Sequence, residues 1–232
     1  MGKNHIKRLA VPKTWPINRK TNTWIIKPKP GPHNLNECFS ITTLLKEILN
    51  VCKTTREVKY ALTNDLIKIN GKIRKDKKFQ VGLMDVVSFK NNYYRILLSK
   101  SRKLIPVKIT KDEEKIRLKK IVGKKSLRKN KLQINLSGGE NFISTKKDFK
   151  TNDTLVFVDG KLKEKLDFKE GSIIYIVGGK QIGTVGIIKK IEKTKSLQPK
   201  KIIFNDGKLD LETLRKFVFV IGKNKPIISL PK

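Results

Sequence analysis

The stretch "GSIIYIVGGKQIGTVGIIKKI", residues 171–191, decides how the C-terminal part of this chain folds. Its two apolar runs, 173–177 and 185–188, flank a glycine-rich centre. Glycine between two such runs is typical of a β-hairpin whose turn needs positive φ or a close approach of the backbone. The sequence therefore predicts a strand–turn–strand unit that belongs to a small β-barrel.

A nucleotide-binding loop is the alternative interpretation of these glycines. Gly178 and Gly183 have the spacing of a P-loop, but Thr184 follows where the lysine that neutralises the β- and γ-phosphates is needed. The GxGxxG spacing fails as well, because Gln181 stands two residues before Gly183. We expect no nucleotide and no other cofactor, although Lys180 and backbone N–H groups of the loop could still meet phosphates.

The charge of the chain points to a polyanionic partner. Lys and Arg number 54 against 20 Asp and Glu among 232 residues, a formal net charge of +34. Phosphates cancel such charge, and counterion release drives their binding. An anionic membrane is the rival partner, but the sequence has neither a long basic amphipathic helix nor an apolar run of about 18 residues. We therefore predict nucleic-acid binding, no membrane and, with two cysteines and no signal peptide, a cytoplasmic protein.

Residues 1–36 form a basic segment that is rich in proline. They hold eight Lys and Arg, no acid, and five of the nine prolines. Proline disfavours helix in its neighbours, so we predict an extended arm. Disordered tails are poor in aromatics, and Trp15 and Trp24 therefore indicate that the arm docks. Two docking sites remain open, which are an RNA base or groove and the protein's own RNA-binding domain.

Residues 37–92 have the pattern of a small α+β unit. Ser40 is a plausible N-cap for a helix with apolar residues at 41, 44, 45 and 48. Thr54 and Glu57 have the spacing of a capping box at the start of a second helix. Asn70-Gly71 between apolar residues is a strong signal for a hairpin turn.

Strands are predicted to dominate after Phe89. Hairpin turns are expected at Asn91-Asn92, Asp159-Gly160 and Asp206-Gly207. The stretch "ITKDEEKIRLKK", residues 109–120, is predicted to be the one later helix, with Thr110 as its cap. The expected fold is α+β and mostly β. It comprises the extended arm 1–36, a small two-helix-plus-sheet RNA-binding domain 37–92, a central β-rich domain 93–170 and a C-terminal SH3-like barrel 171–232.

The residues that catalysis or metal binding would need are absent or scattered. Zinc sites take four closely spaced Cys or His ligands, whereas this chain has only His5, His33, Cys38 and Cys52 and no CxxC. A catalytic triad needs an oriented histidine, and both histidines lie in the arm. We expect no enzyme, no metal site and no small-molecule substrate.

Basic residues cluster in the arm, at the second helix, around the first hairpin and between 115 and 131. In the last segment nine of 17 residues are Lys or Arg and none is acidic, which favours a binding face over a merely solvated one. Helix N-termini also bind phosphate through free N–H groups. The predicted nucleic-acid-binding residues are Lys3, His5, Lys7, Arg8, Lys13, Trp15, Arg19, Lys20, Trp24, His33, Lys53, Arg56, Lys59, Lys68, Lys72, Arg74, Lys75, Lys77, Lys119, Lys120, Lys124, Lys125, Arg128 and Lys180.

Several of these stretches resemble known ribosomal sequences. Residues 171–191 resemble the KOW motif, a barrel hairpin of ribosomal and transcription proteins. Residues 37–89, with Asn70-Gly71, Gly82 and Asp85-Val86, resemble the small RNA-binding domain of small-subunit ribosomal protein four and of some RNA-modifying enzymes. "HIKRLAVPKTW" (5–15), "GPH" (31–33) and "FVIGKNKPIISLP" (219–231) resemble, in the same order, the archaeal and eukaryotic (e-type) family of small-subunit ribosomal protein four.

The resemblance implies a structural constituent of the small ribosomal subunit that binds the 5′ domain of its rRNA beside neighbouring ribosomal proteins. Asn70 stands where the family usually has Asp, and both residues suit the same turn. The chain stops at Lys232 without the basic tail of eukaryotic members, so we expect an archaeal member. The alternatives are a KOW-containing transcription factor, which would carry a polymerase-binding domain, and an RNA-modifying enzyme, which would carry a catalytic domain.

Overall fold

The structure is a computed structural model that describes residues 4–145, 148–192, 198–207 and 209–231. The chain divides into two compact units, of which the first comprises Met1–Arg117 with Leu230–Lys232 and the second comprises Leu118–Ser229. Among the described residues, no helix is long and apolar enough to cross a membrane.

The first unit is built from short antiparallel strands. Strands β1 and β2 form a hairpin, β3 pairs with β6, and the remaining strands form a five-stranded sheet in the order β5-β4-β7-β8-β9. The described strands are β1 (His5–Lys7), β2 (Trp24–Ile26), β3 (Cys38–Ser40), β4 (Ile67–Ile69), β5 (Lys72–Ile73), β6 (Gln80–Gly82), β7 (Val86–Phe89), β8 (Asn92–Leu98) and β9 (Leu104–Ile109).

Two helical segments cover this unit, and both begin at the predicted caps. Helix α1 (Ile41–Thr43) continues as a π-helical segment, Leu44–Ile48, and the Ser40 hydroxyl accepts the Thr43 N–H at 3.1 Å. Helix α2 (Thr55–Thr63) follows Thr54 and buries three apolar side chains of one face. Both N-cap predictions are confirmed, because a cap depends only on residues within one turn of it.

The hairpin turns are set by local backbone preference, with one difference of register. Asn70 and Gly71 have φ of 51° and 75° between β4 and β5, as predicted. The next turn lies at Lys90 and Asn91 instead of Asn91-Asn92, because Asn92 already pairs with Phe89. This register of β7 and β8 leaves Lys90 and Asn91 as the two residues of the turn. Strand β8 therefore runs across the predicted domain boundary between residues 92 and 93.

The predicted helix over residues 109–120 is wrong after its first turn. Helix α3 spans only Lys111–Glu114, and Ile116–Ser126 forms strand β10. The guanidinium of the fully buried Arg95 donates to the Glu113 carboxylate at 3.1 Å and to the Ile116 carbonyl at 2.9 Å. That carbonyl is thus taken by a tertiary contact, and the β-branched residues after it favour a strand.

The second unit consists of two five-stranded antiparallel sheets. Their orders are β12-β11-β10-β13-β14 and β18-β17-β16-β15-β19. The further strands are β11 (Leu132–Leu136), β12 (Asn141–Ser144), β13 (Thr154–Val158), β14 (Lys161–Leu166), β15 (Ile173–Ile176), β16 (Val185–Ile191), β17 (Lys201–Asn205), β18 (Asp210–Leu214) and β19 (Val218–Gly222). Asp159-Gly160 connects β13 to β14, and Asp206-Gly207 lies between the paired β17 and β18, as predicted.

The glycine-rich stretch is a hairpin, which confirms the strand–turn–strand prediction. Strand β15 pairs with β16, and Gly183 in their connection has a φ of 79°. Gly186 lies so close to β17 that an added Cβ would stand 2.5 Å from the Asn205 carbonyl oxygen. The glycines therefore serve a positive φ at one position and a close approach of two strands at another.

Candidate RNA-binding surface

Helix α2 and the β4–β5 hairpin carry the largest group of exposed cations in the first unit. Within the described chain, Lys75 is the member of this group whose side chain forms an ion pair, and its partner Asp65 lies 3.2 Å away just after α2. The other ammonium and guanidinium groups point to solvent. We call this group the helix–hairpin cations, which are Lys53, Arg56, Lys59, Lys68, Lys72, Lys75 and Lys77.

The N-terminus of α2 is closed by its own side chains. The Thr54 hydroxyl accepts the Glu57 N–H at 3.2 Å, and the Glu57 carboxylate accepts the Lys53 N–H at 2.8 Å. The Lys53 N–H, and after it the Thr54 hydroxyl that donates to the Glu57 carboxylate at 3.0 Å, lower the pKa of Glu57. The expectation of free N–H groups for phosphate at this helix end is therefore wrong for Lys53 and Glu57, whose N–H groups are already bonded.

Four motif residues quoted for the family resemblance meet in one buried network. The Asp85 carboxylate accepts hydrogen bonds from the His33 ring at 2.9 Å, from the Gly82 N–H at 2.9 Å and from the Asn70 amide at 2.7 Å. The His33 ring lies against Gly82, where no Cβ would fit. His33 thus holds the arm onto the domain, and its predicted contact with rRNA is corrected to a structural role.

Two predicted contacts in the arm are buried as well. Trp15 is 2% exposed, and its indole N–H donates to the Leu35 carbonyl at 3.4 Å. The Arg8 guanidinium pairs with Glu47 at 2.6 Å and donates to the Asn18 carbonyl at 2.9 Å. Neither side chain is open to RNA in this conformation. Trp15 is therefore covered by the protein itself, and the Arg8–Glu47 ion pair joins the arm to the domain 37–92.

The β1–β2 hairpin of the arm has one face that stays open. Lys7 pairs with Trp24 and His5 with Ile26, and directly opposed side chains lie on the same side of an antiparallel pair. Trp24 is 55% exposed, and His5 and Lys7 are exposed beside it. Ile25 on the opposite face is buried. The two tryptophans of the arm therefore have opposite environments.

A cleft runs beside this open face. It has a volume of about 300 Å³ and includes residues of the arm hairpin, of the α1 segment, of the start of α2 and of the loop before β6. Its lining residues are His5, Arg8, Asn22, Trp24, Ile25, Ile26, Thr42, Thr43, Lys46, Glu47, Thr55 and Lys77. The cleft brings together an exposed indole and several cations that are far apart in the sequence.

The remaining predicted residues of the first unit differ in exposure. Lys13, Lys20 and Trp24 of the arm are exposed, whereas Arg19 and Arg74 are half-buried. The Arg19 guanidinium donates to the Pro12 carbonyl at 2.9 Å, and the Arg74 guanidinium lies 4.5 Å from the centre of the Phe79 ring. Lys3 lies outside the described residues.

Strand β10 of the second unit buries two of its predicted cations. The Lys120 ammonium donates to the carbonyls of Lys216 at 2.9 Å and Val218 at 2.7 Å. Burial, with a smaller contribution from the charge of Arg215, lowers the pKa of Lys120 to about 8. Lys119 is buried beside Glu140, with 3.6 Å between the charged groups. Their predicted RNA contacts are corrected to internal bonds.

Other predicted cations of the second unit remain exposed, namely Lys124, Lys125, Arg128 and Lys180. Lys124 also lines a cleft of about 380 Å³ at the β10–β11 turn, with Lys131 at the same site. Lys180 lies in the glycine-rich hairpin, in which Gly178 contacts the Phe217 ring. These residues stay candidates for phosphate contact.

Two further residues of the first unit lie beside the predicted RNA-binding residues and were not predicted from the sequence. Tyr60 is exposed on α2, four residues after Arg56, and Lys46 lines the cleft beside the arm. The spacing of Arg56 and Tyr60 on one helical face was a signal that could have identified Tyr60. Nothing local marks Lys46, because its position depends on where the arm docks.

Within the described residues, no group of three or more His, Cys, Asp or Glu side chains could hold a metal ion. Cys38 and Cys52 are buried free thiols. Burial, with smaller contributions from the charges of Asp85 and Glu37, raises the pKa of Cys38 to about 12. The Cys38 thiol is therefore held in its protonated, unreactive form.

Comparisons with known proteins give consistent matches. A family model described as ribosomal family S4e matches residues 90–159, and one described as the RS4NT (NUC023) domain matches residues 1–36. The small ribosomal subunit protein eS4 of Methanocella arvoryzae is 35% identical over 97% of this chain and 97% of its own length. The eS4 protein of Nanoarchaeum equitans is 39% identical over 83% of this chain and 84% of its own. The crystal structure of the 30S ribosomal protein S4e from Thermoplasma acidophilum superposes with a TM-score of 0.72 and 28% identity, covering 81% of this chain and 96% of that one.

Proposed function

The chain belongs to the S4e family of small ribosomal subunit proteins, and from that premise we propose that it binds small-subunit rRNA through phosphate and shape contacts. As a member of this family it is a cytoplasmic, ribosomal, non-enzymatic protein. We propose that its partners in the ribosome are the rRNA and neighbouring ribosomal proteins.

The helix–hairpin cations are the observation that carries the proposal. All of them are exposed. In the described part of the chain they form one ion pair, between Lys75 and Asp65, and Asp65 is itself exposed. Exposed cations that lie close together repel one another, so such a cluster destabilises the folded chain unless an anion binds to it. Phosphates of RNA supply that anion, and each neutralised phosphate releases a counterion.

Recognition through shape follows from the kind of side chain present. Lysine is a flexible point charge that fits a phosphate, and contacts to phosphates carry no base-sequence information. The deep major groove of an RNA helix also excludes side chains, so contacts to a helix go to phosphates and 2′-hydroxyls. We propose that these cations bind the phosphates of rRNA helices with little dependence on base sequence. The target that we propose is the 5′ domain of the rRNA, which the family resemblance implies.

The division of labour along the chain is part of the proposal. We assign the arm 1–36 and the domain 37–92 to the main RNA-binding surface, the segment 93–170 to a central β-rich domain, and residues 171–232 to an SH3-like barrel of KOW type. The order β18-β17-β16-β15-β19, with the glycine-rich hairpin inside it, supports the last assignment. The exposed Lys180 would carry the phosphate contacts of that hairpin.

The two alternative functions gain no support from the relatives reported above. A KOW-containing transcription factor or an RNA-modifying enzyme would be expected to match proteins of those classes over most of its length. Instead, the near full-length relatives are named as proteins of the small ribosomal subunit, and they come from archaea.

The dependence of RNA binding on salt tests the proposal. For the wild-type protein and a 5′-domain rRNA fragment, log K should fall linearly with log salt concentration, with a slope of roughly −0.7 to −0.9 per phosphate neutralised. The variant that carries Lys53→Gln, Arg56→Gln and Lys59→Gln should show a slope that is smaller in magnitude by about 2 to 3.

A matched variant separates a local contact from a general effect of net charge. Lys161, Lys163 and Lys190 are exposed lysines of the second unit that we did not predict to contact RNA. Changing these three to Gln removes the same charge and should reduce the slope by less than one. An affinity that does not respond to salt, or an equal loss in both triple variants, would overturn the proposal.

A further inference from the structure

We propose that the cleft beside the arm hairpin holds one unpaired nucleotide of RNA, with its base stacked on the indole of Trp24. The inference rests on the proposed function, since it specifies which form of RNA one part of the surface takes. It assigns the cleft to a single-stranded nucleotide, in contrast to the helical RNA that the helix–hairpin cations are proposed to hold.

The exposure of Trp24 is the first observation. The hairpin is anchored through its other face, where Ile25 is buried, so Trp24 is not needed to hold β2 in place. An indole that is 55% exposed presents a large flat apolar surface to water. Bases stack on such surfaces whatever their identity, because every base has a π-face.

The charges around the cleft are suited to a phosphate. Among its described lining residues, Glu47 is the single acid, and its carboxylate pairs with the buried Arg8 at 2.6 Å and with Lys46 at 3.9 Å. The three cations Arg8, Lys46 and Lys77 outnumber this one acid and leave the cleft with net positive charge. The Thr42 hydroxyl and the Thr42 N–H both donate to the Lys77 carbonyl, at 2.9 and 3.3 Å, which holds the backbone of Lys77 at the edge of the cleft.

The hairpin adds two further groups on the face that carries Trp24. The register of β1 and β2 places Lys7 directly opposite Trp24 and His5 two residues along the same side. A base on the indole would thus have Lys7 beside it, and His5 lies on the cleft wall. Cations that flank an aromatic platform are the arrangement by which proteins track a single strand.

The size of the cleft selects an unpaired nucleotide. A volume of about 300 Å³ lies at the lower end of the range for ligand pockets, which is enough for a small ligand and far too small for a duplex. In a helix the base faces are also covered by their neighbours in the stack, so Trp24 could reach a face only where the base is splayed out. Loops, bulges and ends of rRNA supply such bases.

Binding to two RNA probes tests the inference with the full chain. One probe is a blunt RNA hairpin, and the other is the same hairpin with an unpaired overhang of several nucleotides. Trp24→Ala should weaken binding of the overhang probe about 5- to 100-fold, the loss that corresponds to one stacked base. Its affinity for the blunt hairpin should stay within about twofold of wild type, because phosphate contacts are unchanged.

Two substitutions of Trp24 separate stacking from simple apolar coverage. Trp24→Phe keeps a π-face and should retain most of the affinity for the overhang probe, whereas Trp24→Leu keeps apolar area only and should lose it. Acrylamide quenching of tryptophan fluorescence gives an independent measurement, since the buried Trp15 contributes little to it. Quenching of the wild-type protein should fall when the overhang probe is added, and it should not change with the blunt hairpin.

The outcomes distinguish this inference from the proposed function. If wild-type protein binds the blunt hairpin with a steep salt dependence but Trp24→Ala binds both probes as wild type does, the cleft assignment is wrong and the proposed function stands. An equal loss on both probes would likewise overturn the assignment to an unpaired nucleotide. If wild-type protein binds neither probe, both proposals fail.

Discussion

The two ends of strand β10 carry the same pair of residues and differ in their exposure to solvent. Lys119 and Lys120 are buried, and the Lys120 ammonium donates to two backbone carbonyls. Lys124 and Lys125, a few residues later, are exposed. The change falls at the register shift between Ile121 and Gly123. Two lysines in a row therefore do not define a binding surface, because the cover supplied by the rest of the fold decides whether they meet solvent.

The two tryptophans of the arm repeat this contrast. Trp15 is buried with its N–H bonded to the Leu35 carbonyl, whereas Trp24 lies on the open face of a hairpin. Both stand in the same proline-rich basic segment. Residue type and local composition are thus the same for both side chains, and only the tertiary contacts make one buried and the other exposed.

The largest expected effect is on the contrast between the two tryptophans. Trp15→Ala should lower the free energy of unfolding by about 3–5 kcal/mol, because it removes a large buried ring and leaves a cavity. Trp24→Ala should change it by less than about 0.5 kcal/mol, as expected for an exposed position. Urea denaturation of the two variants measures both values, and similar losses in both would show that the arm does not dock as described.

The next effect concerns the buried ammonium of Lys120 and the pH. Its folded-state pKa of about 8 lies below the unfolded value of 10.5, so between these values the unfolded chain binds more protons and stability rises with pH. The contribution is fully present above 10.5 and is lost as the pH falls through about 8. Relative to Lys120→Met, wild type should gain up to about 3 kcal/mol across this window.

Lys125→Met is the control for that measurement. The Lys125 side chain is exposed in the folded chain, so replacing it should not change how stability depends on pH. Urea midpoints of this variant should therefore equal those of wild type at every pH. A constant difference between wild type and Lys120→Met from pH 7.5 to 10.5 would contradict the burial of a charged ammonium at this position.

The smallest effect on stability is expected at the exposed end of β10. Changing Lys124 and Lys125 together to Gln should leave the free energy of unfolding within about 0.5 kcal/mol of wild type. If both meet phosphates, the salt slope of rRNA binding should become smaller in magnitude by about 1.5 to 2. Isothermal titration at several salt concentrations checks this value, and an unchanged slope would remove these two residues from the binding surface.

Features that depend on residues close together in the chain were predicted correctly. The caps at Ser40 and Thr54, the Asn70-Gly71 turn and the glycine-rich hairpin all depend on preferences of a few consecutive residues. A side chain that reaches three residues ahead, or a turn that needs positive φ, has the same preference in any fold. For the same reason the overall mostly β character could be read from apolar runs and turns.

Features that depend on distant partners were not predictable in this way. The helix expected at residues 109–120 ends at Glu114, since the buried Arg95 takes the Ile116 carbonyl. From the sequence His33 was predicted to be a free residue of the arm that binds RNA. In the structure its ring is hydrogen-bonded to Asp85, which lies 52 residues away in the chain. In both cases the structure depends on a hydrogen bond to a residue far away in the chain, and a local sequence pattern contains no information about that residue.

Net charge, most turn positions, helix starts and family membership could be read from the amino-acid sequence, because each depends on composition or on near neighbours. Which cations and which tryptophan face solvent could not. The Lys120 ammonium is buried by carbonyls 96 and 98 residues further along the chain, and Arg8 by a carboxylate 39 residues away. Burial of a charge is stable only when such partners converge on it, and that convergence exists only in the folded chain.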